Sequence, residues 1–377
     1  MKVIADMSKP TSRVLSGDEL ARFGAEIDAL RARTVADLGE RDARYIRNVY
    51  KAVRYSEILG RALLMVAWFL PEGWVFGTAA VGAVILGLSK ILDNMELGHN
   101  VIHGQYDWMG DPVLNGKTFE WDIMGTSENW RKTHNFRHHT YTNIHGMDED
   151  LGYGVLRVFP EQKWHPARLG QPLYAIIFAI LFEWGVAIQD LRLGRWLTGR
   201  VTNKQMFQIS RPALLKMRRQ LVKDYLIWPL LAGPGFLVVL AGNAVANVIR
   251  SLWTYTVIFC GHFTTDVQTF PKNVLKNDTR ASWYVRQVAG SSNLSGGFLL
   301  NVMTGNLSHQ IEHHLFPDVP ANRYAEMAVQ VREICARYGQ HYNTGSMVKQ
   351  FGQVLWRILR HSFPSSPERA MRPTMAK

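Results

Sequence analysis

The chain has 377 residues, 47% hydrophobic and only 20% charged, which excludes disorder and leaves ample apolar material for a large core. Its 43 Lys and Arg outnumber 31 Asp and Glu, and the resulting charge of +12 calls for an anionic partner: nucleic acid, a membrane surface or a phosphorylated substrate. With only Cys260 and Cys335, a disulfide framework and a thiolate metal site are both excluded.

Residues 1–57 read as a cytoplasmic amphipathic N-terminal region, with Ser16-Gly17-Asp18-Glu19 marking a helix start. No short apolar core follows a basic start, so no secretory leader is expected. Two apolar segments, 58–70 and 74–94, flank the turn Pro71-Glu72-Gly73 and predict an antiparallel pair of spans. Tyr225 to Ile249 holds 25 residues without Asp, Glu, Lys or Arg. Gly233-Pro234-Gly235 loosens it and Gly242-Asn243 offers a turn, which predicts spans at 225–241 and 244–263. Arg250 is a costly charge inside the last span and must face protein or reach an interface.

Between the two pairs, 171–190 is apolar apart from Glu183 and the terminal Asp190. The following stretch, 192–223, carries nine basic residues (Arg192, Arg195, Arg200, Lys204, Arg211, Lys216, Arg218, Arg219, Lys223) and no acidic one, and the positive-inside rule places it in the cytoplasm. A crossing at 171–190 would put that stretch outside, so this segment is read as an interfacial helix. The expected architecture is an all-α integral membrane protein: four transmembrane helices in a domain 58–345, a cytoplasmic helical cap, and a C-terminal tail, 346–377.

Eight of the thirteen histidines form three clusters: His99 and His103; His134, His138 and His139; His309, His313 and His314. Each cluster contains an i,i+4 pair, which stacks two imidazoles on one helix face as two ligands to a single metal require. Imidazole suits zinc, copper, iron and nickel, and eight nitrogens exceed what one ion can use, so the clusters predict a polyhistidine di-metal site. His145, His165, His341 and His361 stand outside and read as structural or surface residues. Asp148, Asp150, Glu96 and Glu312 are candidates for orienting the ligating rings. Anionic lipid headgroups or coenzyme A phosphates would meet the 192–223 charge. Nucleic acid is excluded as a partner because no recognition motif accompanies the charge.

The order and placement of the three boxes resemble the membrane fatty-acid desaturases. The run Asn306-Leu307-Ser308-His309-Gln310-Ile311-Glu312-His313-His314-Leu315-Phe316-Pro317 is similar to the third box of linoleoyl-type and front-end enzymes. The stretch from His99 to Tyr153, including Trp130-Arg131-Lys132-Thr133-His134-Asn135 and Gly146-Met147-Asp148-Glu149-Asp150, resembles the actinobacterial acyl-CoA desaturases. The resemblance implies that the eight box histidines bind two iron ions, with His262 completing the shell and O2 as co-substrate. The animal enzymes add an asparagine four residues before the last ligand, where this chain has Ile258, and Asn306 is the candidate substitute. The catalytic side chains stay unassigned, since the resemblance gives the chemistry to the metal centre.

The implied reaction is insertion of a cis double bond into an acyl chain, acyl-CoA or acyl-lipid, with Δ9 on a saturated chain favoured by the actinobacterial likeness. The haem-binding His-Pro-Gly-Gly motif is absent, and His165-Pro166-Ala167-Arg168 does not match it, so electrons must come from a separate ferredoxin or flavin reductase. Arginine outnumbers lysine, which suits a bacterial plasma membrane with the site on its cytoplasmic side. The alternatives are a hydroxylase or ketolase of the same superfamily and, from another class, a membrane metal-binding or transport protein.

Overall fold

The computed structural model describes residues 12–364 except 192–195, 197–198 and 200. Of the basic stretch, Arg192, Arg195 and Arg200 lie outside the described residues, as do the ends 1–11 and 365–377.

Helix α1 (Gly17–Ala36) starts where the sequence places it. The Ser16 hydroxyl accepts from the Glu19 amide, and the Glu19 carboxylate accepts from the Ser16 amide, a reciprocal capping box. Helix α2 (Glu40–Ala67) runs unbroken through residues 57 and 58, so the apolar stretch beginning at 58 is the end of a longer helix. After a short link, α3 (Glu72–Ile102) returns along α2. Glycines permit the close approach: a Cβ at Gly60 would lie 2.7 Å from the Leu86 backbone nitrogen, and one at Gly82 would lie 3.1 Å from the Gly60 carbonyl. The last part of α3, Asp93–His99, is wound as a π-helix. So is Arg131–His138, which follows the short α4 (Ser127–Trp130).

Two expectations are corrected between 171 and 262. The segment 171–190 is two short helices, α5 (Gln171–Ile180) and α6 (Phe182–Asp190), and the axis bends by 96° between them. The fold-back is possible because Gly185 has no side chain; a Cβ there would sit 2.1 Å from the Phe178 ring. After α7 (Asn203–Val222) the chain continues helically to Leu231 and turns at Gly233–Gly235, where Gly233 has φ +55°. Helix α8 (Phe236–His262) then passes straight through Gly242-Asn243, so the turn expected there is absent. Those two residues serve packing: a Cβ at Gly242 would lie 2.3 Å from Leu64, and Asn243 donates to the Asp224 carbonyl at 2.6 Å.

By length and composition two helices could cross a membrane, Glu72–Ile102 and Gly233–His262, and the bent pair Pro166–Ile180 with Phe182–Gln189 would make a third if it is one span. Helices α2, α3 and α8 pack together through Leu64, Ala83, Leu86, Val239 and Ala246. A separate core joins α1, α9 (Arg280–Ala289), α10 (Gln310–Leu315) and α11 (Tyr324–Arg337) through Phe23, Tyr284, Ile311 and Val331. The chain is not purely helical, because β1 (Asn293–Ser295) pairs in parallel with β2 (Thr344–Ser346). That pairing leads into α12 (Met347–Ser362), which buries Val354 and Ile358 against Phe178 and Phe259. Val354 and Ile358, which fall in the expected C-terminal tail, are therefore buried in this core.

The α2–α3 contact tolerates no side chain at Gly60. Gly60→Val is expected to cost about 1–3 kcal/mol by overpacking, seen as earlier thermal unfolding in detergent. Gly77→Ala, at a position with nothing within 4 Å, is expected to leave unfolding unchanged or raise it slightly.

Candidate metal centre

Four chain segments deliver imidazoles to one buried region: the end of α3 with His99 and His103, the π-helix after α4, the last residue of α8, and α10. The ligand atoms of His99, His103, His134 and His313 all lie within 4.8 Å of one another, and so do those of His138, His262 and His314. A third grouping joins His134, His138 and Asp150. His139 sits between the two histidine sets, its ring 4.7 Å from His103 and His313 and 4.4 Å from His314.

The grouping departs from the i,i+4 expectation. His99 and His103 share a set, but His134 and His138 divide between two, and His309 belongs to none. The spacing rule assumes a regular α-helix, whereas Arg131–His138 is π-wound and the third box bends before its helix begins. Asn306 has φ +55°, and His309 has φ −106° and ψ 56°, which places His309 outside α10. Its Nδ1 lies 3.9 Å from the Glu312 carboxylate.

What that bend delivers instead is Gln310, a residue the sequence reading passed over. Gln310 is buried, its Nε2 stands 2.9 Å from His262 Nε2, and its Oε1 has no partner among the described residues. Turning the amide would aim an unpaired oxygen at the His138–His262–His314 set. The available signal was positional, since Gln310 precedes His313 by one helical turn.

Rings are aimed by their outer nitrogens. Nδ1 of His138 meets both oxygens of Asp148 at 3.0 Å, and Nδ1 of His134 meets Asp150 at 3.2 Å. Nδ1 of His314 meets the Gln287 amide oxygen at 2.9 Å, that of His313 the Tyr324 hydroxyl at 3.3 Å, and that of His262 the Gly290 carbonyl at 3.4 Å. His99 Nδ1 lies 3.2 Å from the Asn100 amide oxygen. An outward Nδ1–H leaves Nε2 as a bare lone pair pointing inward. Consistent with that, Nε2 of His99 faces Nε2 of His134 at 3.4 Å and Nε2 of His262 faces that of His314 at 3.2 Å. Nε2 of His103 and His313 and both nitrogens of His139 lack partners among the described residues. Buried, neutral, converging nitrogens without protons to share are a donor set that fits two imidazole-binding cations.

Electrostatics agrees with this geometry. Burial holds His103, His134, His139, His313 and His314 well below the ordinary imidazole range, with neighbouring rings adding to the effect, and burial pushes His309 down to about 4. His138 is the exception. Burial opposes its charge, but Asp148 and Asp150 outweigh that and hold it above the ordinary value. Asp148 is kept in place by the amides of Asn143 and Asp150 at 2.8 and 2.9 Å.

The other candidates fall elsewhere. Asn306 belongs to neither set, because its amide donates to both oxygens of Glu96 at 3.1 and 2.9 Å. Glu96 also accepts from Tyr45 at 2.8 Å, and Glu312 accepts from Asn293 and Tyr342 at 2.8 and 3.0 Å. Asp148 and Asp150 are thus the carboxylates that meet inward-facing rings directly. Beside the histidines lies a mainly apolar cavity, whose walls include His99, His134, His138 and His262 together with Trp121, Ile123, Tyr153, Phe182, Val186 and Ile258.

Two outcomes test the centre. Asp148→Asn is expected to weaken metal retention about 10–100-fold, read by metal analysis after dialysis against a graded chelator series. In metal-free protein the buried neutral histidines, lowered from an ordinary value near 6.5, favour the folded state fully above that pH. As pH falls below it the unfolded chain takes up protons first, so unfolding temperature should drop between about pH 7.5 and about pH 5.5. A flat profile would contradict a neutral buried cluster.

Comparison with known proteins accounts for this arrangement. Residues 72–346 match the family model described as fatty acid desaturase. The chain is 44% identical over 349 residues, 92% of its own length and 80% of the other's, to an NADPH-dependent stearoyl-CoA 9-desaturase of Mycobacterium tuberculosis. It is 25% identical over 300 residues, 75% of this chain and 82% of the other, to an sn-1 linoleoyl-lipid 6-desaturase of Synechocystis. It is likewise 25% identical over 312 residues, 77% and 67% of the two chains, to an acyl-lipid (8-3)-desaturase of Mortierella alpina. The chain belongs to the fatty acid desaturase family and is an oxidoreductase acting on fatty acyl chains.

Proposed function

We propose that this desaturase inserts a cis double bond at the Δ9 position of a saturated fatty acyl-CoA, using two iron ions and O2. The observation that carries the reading is the converging set of bare Nε2 atoms beside a mainly apolar cavity. Similarity across most of both chains to a protein named as a stearoyl-CoA 9-desaturase supports the substrate and the position.

His99, His103, His134 and His313 would hold one ion, and His138, His262 and His314, with the Gln310 oxygen, the other. His139 lies between them, and His309 stands outside both sets. Bound iron supplies the oxygen activation that an unactivated C–H bond requires and that no side-chain acid or base can match. The protein's own part is placement. Asp148, Asp150, Gln287 and Tyr324 fix ring orientation from outside, and Trp121, Ile123, Tyr153 and Phe182 offer an apolar wall that excludes water and holds an alkyl chain against the histidines.

The membrane reading completes the proposal. Four spans, formed by the end of α2, α3, the helical stretch ending at Leu231 and α8, would leave the histidines and the α1–α9–α10–α11 core at the cytoplasmic face. Exposed Ile58, Phe69, Trp74, Phe76 and Leu237 suit contact with lipid, and the basic stretch 192–223 suits anionic headgroups on the inner face of a bacterial plasma membrane. Electrons would come from a separate ferredoxin or flavin reductase.

Purified protein supplied with O2, a reductase and a saturated acyl-CoA is expected to carry about two irons per chain and to yield the cis-9 monoene. His138→Ala should abolish product while the protein still enters membranes. A hydroxylated product, or zinc or copper in place of iron with no oxygen consumed, would overturn the reading.

A further inference from the structure

The two charges that stand alone in apolar stretches of the sequence, Glu183 and Arg250, find each other in the fold. Arg250 on α8 forms an ion pair with Glu183 on α6, and its Nη1 donates to the Asp122 carbonyl at 3.1 Å. The residues are 2% and 8% exposed, so neither reaches bulk solvent. Other buried pairs, Arg61–Asp224, Lys90–Asp224 and Arg323–Asp42, serve packing away from the cavity, whereas Glu183 and Arg250 both line it.

Their position within the cavity is fixed by α8. His262 ends that helix at the metal centre, and Arg250 lies about 18 Å back along its axis at 1.5 Å per residue. The cavity is thus lined both by ring nitrogens and, farther back along α8, by the ion pair, with Val186 and Ile258 on its walls and Ser251 next to Arg250. An alkyl chain is stabilised along such walls. It gains nothing against a guanidinium–carboxylate pair, because a methyl group cannot replace the water or polar contacts that solvate the charges.

We propose that the Glu183–Arg250 pair is the chain-length stop of the acyl cavity: the methyl end of the substrate halts against it, and its distance from the metal centre limits how many carbons lie beyond the reacting bond. The inference rests on the desaturase reading and adds the specificity-determining residues to it. Both charges must go together in a test, since removing one partner strands the other in an apolar surround.

The experiment compares kcat/KM for three saturated acyl-CoAs, the preferred length and lengths two carbons shorter and longer, with iron content and double-bond position measured alongside. The double variant Glu183→Ala/Arg250→Ala is expected to raise the ratio for the longer chain over the preferred one by about tenfold, with the double bond still at the same distance from the carboxyl end. Ser251→Phe, which fills space in front of an intact pair, is expected to shift preference toward the shorter chain, and it decides the matter if the double variant fails to fold. Unchanged length ratios in iron-loaded variants would overturn the proposal, because a purely structural pair would lower activity on all lengths equally. Failure of the unmodified protein to desaturate any of the three would instead overturn the proposed function, a separate result.

Discussion

Everything else in the molecule is subordinate to one electrostatic demand: a crowd of imidazoles must be buried within a few ångströms of one another and stay neutral. Protonated rings at such spacing would repel in a medium that screens poorly. Burial disfavours the protons, at His138 against the pull of Asp148 and Asp150, and outward acceptors then decide which nitrogen keeps its hydrogen. Those acceptors come from other elements than the rings they meet, Asp148 and Asp150 from a loop, Gln287 from α9 and Tyr324 from α11. The residues packed around the histidines are thus more than a cover, because their polar side chains set the direction of the lone pairs.

That demand also explains which parts were legible in the sequence. Residue types declare chemistry, so the clustered histidines and the carboxylates at 148 and 150 could be read locally. Partition of the rings could not be, because it depends on helical winding, and i,i+4 reasoning presumes a regular helix that the second box abandons. Gln310 escaped for a different reason: an amide carries no ligand signature until His262 is seen 2.9 Å away.

Glycine misled in an equally physical way. At Gly242 the missing side chain admits Leu64, and at Gly185 it admits Phe178. Leu64 lies far from Gly242 in sequence, so a residue that looks like a turn can be a contact. Gly233-Pro234-Gly235 does turn the chain, since its first glycine adopts a left-handed conformation that a side chain would disfavour. Arg250 and Glu183 appear in sequence as two unrelated blemishes in apolar helices, and only the 96° fold-back of α5 on α6 turns them into one pair.

The π-wound stretches at 93–99 and 131–138 have an evolutionary consequence. A π-turn holds one residue more than the α-turn it replaces, so a helix can absorb a single-residue insertion as a local bulge without rotating everything beyond it. The second box here has three residues between its first two histidines, His134 and His138, and the π-wound stretch lies over that interval. Because such a bulge takes up one residue, the count of residues within a box does not by itself fix which way its nitrogens face.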